Sequence, residues 1–221
     1  METEVKLAFK DRESLFSAAS SDWFAGHCVS GGFGPLTLEN YYLDTKDRLL
    51  TSRGAVFRKR HFVGEGIDSY EFTAKCVVGV SEGLHERYEW NVKSADGNID
   101  IAGFMCEAEK QNDDPEVLSR LFSGISGNDI RDLCSNSFER TTYVIKYGSS
   151  LMEACIDYGE IKDSAGKTCD IICEMELELT DGSVEELEKA RSFIMSKTDA
   201  VPFDTGKFER TFRASLTGGS K

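Results

Sequence analysis

Glu2-Thr3-Glu4-Val5-Lys6 is the stretch from which the rest of the chain can be read. In an extended strand, successive side chains point to opposite faces. Glu2, Glu4 and Lys6 then share one face, and Thr3, Val5 and Leu7 the other. Two carboxylates and an ammonium in a row do not pack onto an apolar core. They suit a face that lines a wet, charged cavity.

Working outward, the alternation recurs. Residues 54–63 (GAVFRKRHFV) read as a strand with Arg58 and Arg60 on one face and Phe57 and Lys59 on the other. A Gly-Glu-Gly turn signals a hairpin. Residues 67–78 then set Glu71, Thr73 and Lys75 against Tyr70, Phe72 and Ala74. Leu84 to Val92 sets His85, Arg87 and Glu89 against Tyr88 and Trp90. Residues 136–147 carry Arg140 and Lys146 in phase, and Gly148-Ser149 turns the chain into 151–161, with Glu153 and Asp157 in phase. Residues 168–180 set Glu174, Glu176 and Glu178 against Met175, Leu177 and Leu179. With Glu2–Phe9 and Leu38–Asp44 this makes about eight strands, mostly in hairpins and so largely antiparallel. Helices are expected over 11–25 and over 183–197, the latter capped by Asp181 or Ser183 with Glu185 and Glu186 in its first turn. Residues 30–37 read as a loop. The acidic section 97–134 reads as irregular, with helical pieces near 114–123 and 127–134, capping one end of a barrel or sheet. Tyr42, Tyr88, Trp90 and Phe57 are expected to pack on the outer face.

One alternating strand is ordinarily the half-solvated face of a sandwich. Here the signs segregate. Acids lie on the first and last two strands (Glu2, Glu4, Glu153, Asp157, Glu174, Glu176, Glu178), and bases dominate the middle ones (Arg58, Arg60, Lys75, Arg87, Arg140, Lys146). The apolar faces can take helices outside. The expected fold is therefore α+β: an eight-stranded antiparallel β-barrel, a tunnel with a charged interior and helices packed outside. Residues 1–216 form its single domain and 217–221 a short tail.

Composition bounds the function. With 221 residues, 40% apolar and 29% charged, the chain reads as one globular domain with a sizeable core. A net charge of −13 argues against general nucleic-acid binding. No run reaches the roughly 18 apolar residues of a membrane helix, and the charged N-terminus shows no secretory signal. Seven scattered cysteines without a CxxC pair argue against a disulfide framework or a thiolate zinc site and suit a cytoplasmic protein. A wall of carboxylates repels itself unless cations neutralise it. Such hard oxygen ligands prefer Mg2+ or Mn2+. A facing wall of Arg and Lys is a receptor for phosphate oxygens. Together they describe a site for metal-bound polyphosphate.

Motifs along nearly the whole chain resemble one family. The Glu2-x-Glu4-x-Lys6 opening is similar to the signature of the CYTH domain, also called triphosphate tunnel metalloenzymes. Tyr42-Leu43-Asp44-Thr45, Gly54 to Arg60, Thr73-Ala74-Lys75, Arg87-Tyr88-Glu89 and Glu174 to Glu178 resemble its later motifs. Lys207-Phe208-Glu209-Arg210 is similar to the ending of its bacterial inorganic triphosphatases. The resemblance implies a tunnel with two possible metal sites, holding Mg2+ or Mn2+, and a triphosphate substrate. It implies Glu2, Glu4, Glu174, Glu176 and Asp157 as metal ligands, with Glu178 at the second metal or the tunnel mouth. It implies Lys6, Arg58, Arg60, Lys75, Arg87, Arg140 and Lys207 as phosphate contacts. Lys6 and Lys75 are the candidates for leaving-group or proton handling. Two positions depart from the pattern. Phe138 stands where some short relatives have a lysine assigned to activating water, and Gly206 replaces the serine before the late lysine.

The expected activity is hydrolysis of inorganic triphosphate to pyrophosphate and phosphate. Adenylate cyclase and thiamine or nucleoside triphosphatase are the alternatives within the family, with Trp23 as a possible aromatic clamp. A non-catalytic polyphosphate binder is the alternative outside catalysis, and the intact acid set speaks against it. The expected partner is a small anionic phosphate compound, with no nucleic acid and no membrane, for a monomer or homodimer.

Overall fold

In the computed structural model, residues 1–98, 100–111 and 114–217 are described. They form the strands β1 (Glu2–Ala8), β2 (Cys28–Asp44), β3 (Ala55–Gly64), β4 (Ile67–Ser81), β5 (Leu84–Ser94), β6 (Arg131–Tyr147), β7 (Ser150–Lys162), β8 (Thr168–Asp181) and β9 (Val201–Pro202). The helices are α1 (Arg12–Ala19), α2 (Asp22–Ala25), α3 (Leu49–Ser52), α4 (Ile101–Ala108), α5 (Pro115–Phe122), α6 (Val184–Lys197) and α7 (Lys207–Thr217). Of the expected tail 217–221, Thr217 is the last residue of α7, and 218–221 lie outside the described residues.

Strands follow the order β5-β4-β3-β2-β6-β7-β8-β1, and β1 pairs again with β5, which closes an eight-stranded barrel. Every pairing around the ring is antiparallel. Closure removes the open edges on which sheets aggregate. The seam is short: β1 meets β5 over four residue pairs, from Glu2 opposite Arg87 to Val5 opposite Leu84. Beyond it, β9 takes over the same side of β1, with Leu7 opposite Pro202. The two-residue turn between β4 and β5, Glu82-Gly83, has both φ angles positive (50° and 78°), as a type I′ hairpin requires. A Cβ at Gly83 would lie 2.6 Å from the carbonyl oxygen of Lys6. That contact is close because the Lys6 N–H donates to the Gly83 carbonyl at 2.7 Å.

Alternation puts the apolar face outside, as the sequence implied. Val5, Leu7, Met152, Ala154, Ile156, Met175 and Leu177 form one cluster with α1, α2 and α6. Phe57, Phe72, Ala74, Trp90 and Val92 form another with Phe104, Leu118, Leu121 and Phe122 from α4 and α5. The acidic middle section therefore flanks the outer wall of β3, β4 and β5 rather than capping an end. α7 is the element that covers an end. Ala214 packs with Leu38, Phe138, Ile161 and Ile172, and Phe208 lies 5.1 Å from Tyr42 between ring centroids.

Several local expectations are corrected. Residues 30–37 are part of β2, which passes them with repeated register shifts against β6. Residues 127–134 hold only a 3-10 turn, Gly127–Asp129, before β6 begins at Arg131. Helix α4 was not anticipated, because its apolar IAGFMCEA run is short and lies in a polar section. Tyr42 is inward and buried, not an outer-face residue, since it shares the phase of Leu38 and Asn40. Asp44 serves the fold rather than the cavity, since its carboxylate accepts from the backbone N–H groups of Thr45, Leu50 and Thr51. No helix among the described residues is long and apolar enough to cross a membrane.

Candidate active site

The barrel encloses a cavity of about 1070 Å³. Glu2, Glu4, Lys6, Arg58, Arg60, Lys75, Arg87, Arg140, Glu176 and Lys207 all reach its wall. Asp157 and Glu174 stand just behind, almost wholly buried. The strands that face inward thus bring every candidate residue into one place. Lys146, though in phase with Arg140, is exposed at the far end of β6.

On the acidic side, most carboxylates already have cations. Lys207 Nζ lies 2.8 Å from Asp157 Oδ2, 2.8 Å from Glu174 Oε2 and 2.7 Å from Glu176 Oε1. Arg140 Nε donates to Asp157 Oδ1 at 2.6 Å, and its Nη2 reaches Glu176 Oε2 at 2.6 Å. Burial would raise the pKa of Glu176, but Lys207, Lys6 and Arg140 hold it well below the usual carboxylate range. Burial would likewise raise Asp157, and Arg140 and Lys207 lower it. Arg87 grips Glu2 with Nη2 at 2.9 Å and Glu4 with Nη2 at 2.7 Å. Lys75 lies 3.5 Å from Glu2 and pairs with Glu89. The expected segregation of signs holds in barrel order, with Glu89 as an acid on the basic side.

Arg58 and Arg60 differ from the rest. Both are buried, and neither forms an ion pair among the described residues. Arg58 donates from Nη2 to Thr73 Oγ1 at 3.0 Å, while its buried Nε finds no acceptor. Arg60 donates from Nε to Asn40 Oδ1 at 2.7 Å. Burial, and then the nearby charges of Arg58 and Arg140, bring the Arg60 pKa down to about 9. Phe138, whose ring lies 5.2 Å from Lys207 Nζ and 5.9 Å from the Arg60 Cζ, gives these cations an aromatic face. It offers no amine for a proton.

The donor chemistry bears on a metal. Glu4 Oε1 is buried and accepts no hydrogen bond among the described residues, with Lys6 Nζ 4.0 Å away. Glu178, opposite Glu4 on β8, has its pKa pushed up to about 8 by burial and then by Glu2 and Glu89. Hard oxygen donors crowded together and short of cationic partners fit Mg2+ or Mn2+, which would favour their ionised form. The Asp157, Glu174 and Glu176 set is instead closed around an ammonium. Among the described residues no three acidic, histidine or cysteine side chains make a ready metal cage.

Sequence reasoning missed four participants. Asn40, Asn136 and Thr211 are buried polar residues at this end of the cavity, and neutral polar residues carry no charge pattern to betray them. Cys155 lines the cavity between Glu153 and Asp157, with its thiol pushed well up by burial. Trp23 is no clamp: it packs outside against Phe193 at 5.7 Å. His85 lines the cavity but is tied to the Phe203 carbonyl at 3.1 Å, and burial lowers its pKa.

A family model of the CYTH domain matches residues 1–212. The chain belongs to the CYTH domain family. Three solved structures show how far this CYTH barrel is shared. A putative adenylyl cyclase from Hippeastrum with a dominant triphosphatase activity superposes with a TM-score of 0.67 at 15% identity, covering 99% of this chain and 98% of its own. A putative adenylate cyclase from Bacillus halodurans gives 0.59 at 18% identity, covering 96% and 97%. A protein from Pyrococcus horikoshii OT3 gives 0.52 at 15%, covering 95% and 98%. At these identities the likeness is one of fold. The CYTH assignment agrees with the inward motif residues of β1, β3, β4, β5 and β8.

Proposed function

We propose that this CYTH domain hydrolyses a triphosphate with the aid of a divalent cation, and that its substrate is inorganic tripolyphosphate, cleaved with one water to pyrophosphate and phosphate. The observation that carries this is the pair Arg58 and Arg60: two buried guanidiniums without an ion-paired carboxylate among the described residues, facing a carboxylate wall across one cavity. Buried cations without counter-ions are costly. An anion with several oxygens relieves both at once.

In this reading Arg58 and Arg60 hold phosphate oxygens, and Lys75, Arg87 and Arg140 complete the basic side. Phosphoryl transfer depends mostly on positioning and charge neutralisation. Lys6, between Glu4 and Glu176, and Lys75, between Glu2 and Glu89, are placed to steady the leaving phosphate or to hand it a proton. Glu2 and Glu4, with Glu176 and Glu178 beside them, would hold Mg2+ or Mn2+. When bound, such an ion supplies charge neutralisation and a more acidic water. Recruiting Asp157 and Glu174 as ligands requires Lys207 to give them up, and a triphosphate oxygen is the partner it can take instead.

A second reading is an organic triphosphate. Leu36, Phe62, Ile67 and Tyr70 add an apolar stretch to the cavity lining on which a base or ring could rest. The test is phosphate release from tripolyphosphate, ATP and thiamine triphosphate, each with Mg2+ or Mn2+, and cyclic AMP formation from ATP. Fastest turnover of tripolyphosphate is expected. Faster ATP or thiamine triphosphate cleavage supports the second reading. Binding without turnover under either metal overturns both.

A further inference from the structure

Behind Arg60 runs a line of buried neutral side chains that ends on the terminal helix. Arg60 Nε donates to Asn40 Oδ1 at 2.7 Å. Asn40 Nδ2 donates to Asn136 Oδ1 at 2.9 Å. Asn136 Nδ2 donates to Thr211 Oγ1 at 2.7 Å. Thr211 Oγ1 donates to the carbonyl oxygen of Lys207 at 2.7 Å. An arginine can only donate, so Asn40 must turn its oxygen toward Arg60. Its amide then donates onward, and the same logic fixes Asn136 and the hydroxyl of Thr211. Every link therefore has one direction, from the tunnel wall to α7. All three relay residues are buried, Asn40 at 0% and Thr211 at 1% exposure. Left unmatched, each polar group would be destabilising.

The two ends of the relay are both cationic residues of the cavity. Arg60 Nη1 and Nη2 have no acceptor among the described residues, so the bond at Nε is what fixes the plane in which its fork meets an anion. Lys207, one helical turn before Thr211 on α7, holds Asp157, Glu174 and Glu176. We infer that Asn40, Asn136 and Thr211 are positioning residues that tie the seating of α7 to the orientation of Arg60, so that the helix and the phosphate-binding fork adopt their working positions together. This rests on the triphosphate reading of the cavity. None of the three needs to touch substrate.

Thr211→Val tests it, since it preserves shape and breaks the line at the end remote from Arg60. The expected result is a KM for tripolyphosphate raised about tenfold, the equivalent of about 1.4 kcal/mol, with kcat changed far less. Thr211→Ser, which restores the hydroxyl, is expected to restore KM. In an Arg60→Lys background, where no guanidinium fork remains to be oriented, Thr211→Val should add little. A second readout needs no turnover. The Arg60 Nε–H resonance should be protected from solvent exchange in the parent and in Thr211→Ser, and lose protection in Thr211→Val. An unchanged KM in Thr211→Val, or an equal KM penalty in the Arg60→Lys background, overturns the inference. So does Arg60 protection that survives Thr211→Val. If the parent neither binds nor cleaves any triphosphate, the proposed function fails and the relay is judged on the resonance alone, where retained protection overturns it and lost protection upholds it.

Discussion

Among the described residues Arg58 finds little to bond: Thr73 at one nitrogen, no acceptor at its buried Nε, and Arg60 nearby. Replacing it by an apolar side chain of similar length removes an unmatched buried charge. Arg58→Met is thus expected to raise stability by about 1 kcal/mol, which for a chain of this size means a Tm higher by about 2–4 °C. The same change should raise KM for tripolyphosphate about tenfold or more. Calorimetry and steady-state kinetics on one preparation check both; a lower Tm would show that Arg58 is a structural residue. His61 is the counterpart on the outside. Its ring stacks on Tyr70 at 4.2 Å, with Nε2 2.7 Å from Asp68 Oδ1 and Nδ1 3.1 Å from Glu39 Oε2. The Asp68 bond, foremost, raises its pKa above 6.5. A raised folded-state value means the stabilisation is full below the unfolded pKa and is lost as pH climbs through the folded one. The Tm difference between the parent and His61→Phe should therefore be largest near pH 6 and shrink at alkaline pH. A difference that grew with pH would contradict the assignment.

At the scale of elements, the β4–β5 turn carries more than a chain reversal. Gly83 takes a bond from Lys6, and its own N–H donates to Asp204 Oδ1 at 2.6 Å, so β1, the turn and the segment after β9 meet at one glycine. Gly83→Ala combines a positive φ with a clash against backbone. A loss of about 1–3 kcal/mol is expected, read as a lower denaturant midpoint with an unchanged m-value. The strands themselves were legible because charge alternates with apolar residues at period two, and Arg58-x-Arg60 or Glu174-x-Glu176 can be read in one pass. What escaped was whatever lacks that contrast. The 30–37 stretch is rich in glycine and carries no alternation, yet backbone pairing to β6 makes it a strand. Tyr42 is ambiguous in the sequence because an aromatic residue suits either side of a barrel, and only its phase with Asn40 decides. The candidate site was legible as a set of charges. Its pairing was not: nothing in the spacing of Lys207 announces that it sits among three acids contributed by two other strands.

For the whole molecule, the telling fact is that a chain of net charge −13 encloses a cavity in which two arginines form no ion pair among the described residues. An anion and a divalent cation supplied together match both sides of that cavity, so they should stabilise the fold jointly. A ligand held at 100 times its Kd adds about 2.7 kcal/mol. Tripolyphosphate with Mg2+ or Mn2+ is expected to raise Tm clearly more than either component alone, and EDTA should abolish the excess. In Glu4→Gln the excess should vanish while the unliganded Tm stays near that of the parent, and turnover should fall about 100-fold. A Glu4→Gln protein that no longer folds would instead make Glu4 a structural residue. The closure of the ring has one more consequence, for biosynthesis. β1 is made before both of its neighbours in the ring, β5 on one side and β8 on the other. It therefore waits, with one side unpaired, until β8 has been made. That delay calls for a nascent strand that stays soluble while it waits, and a strand with Glu2, Glu4 and Lys6 along one side is suited to it.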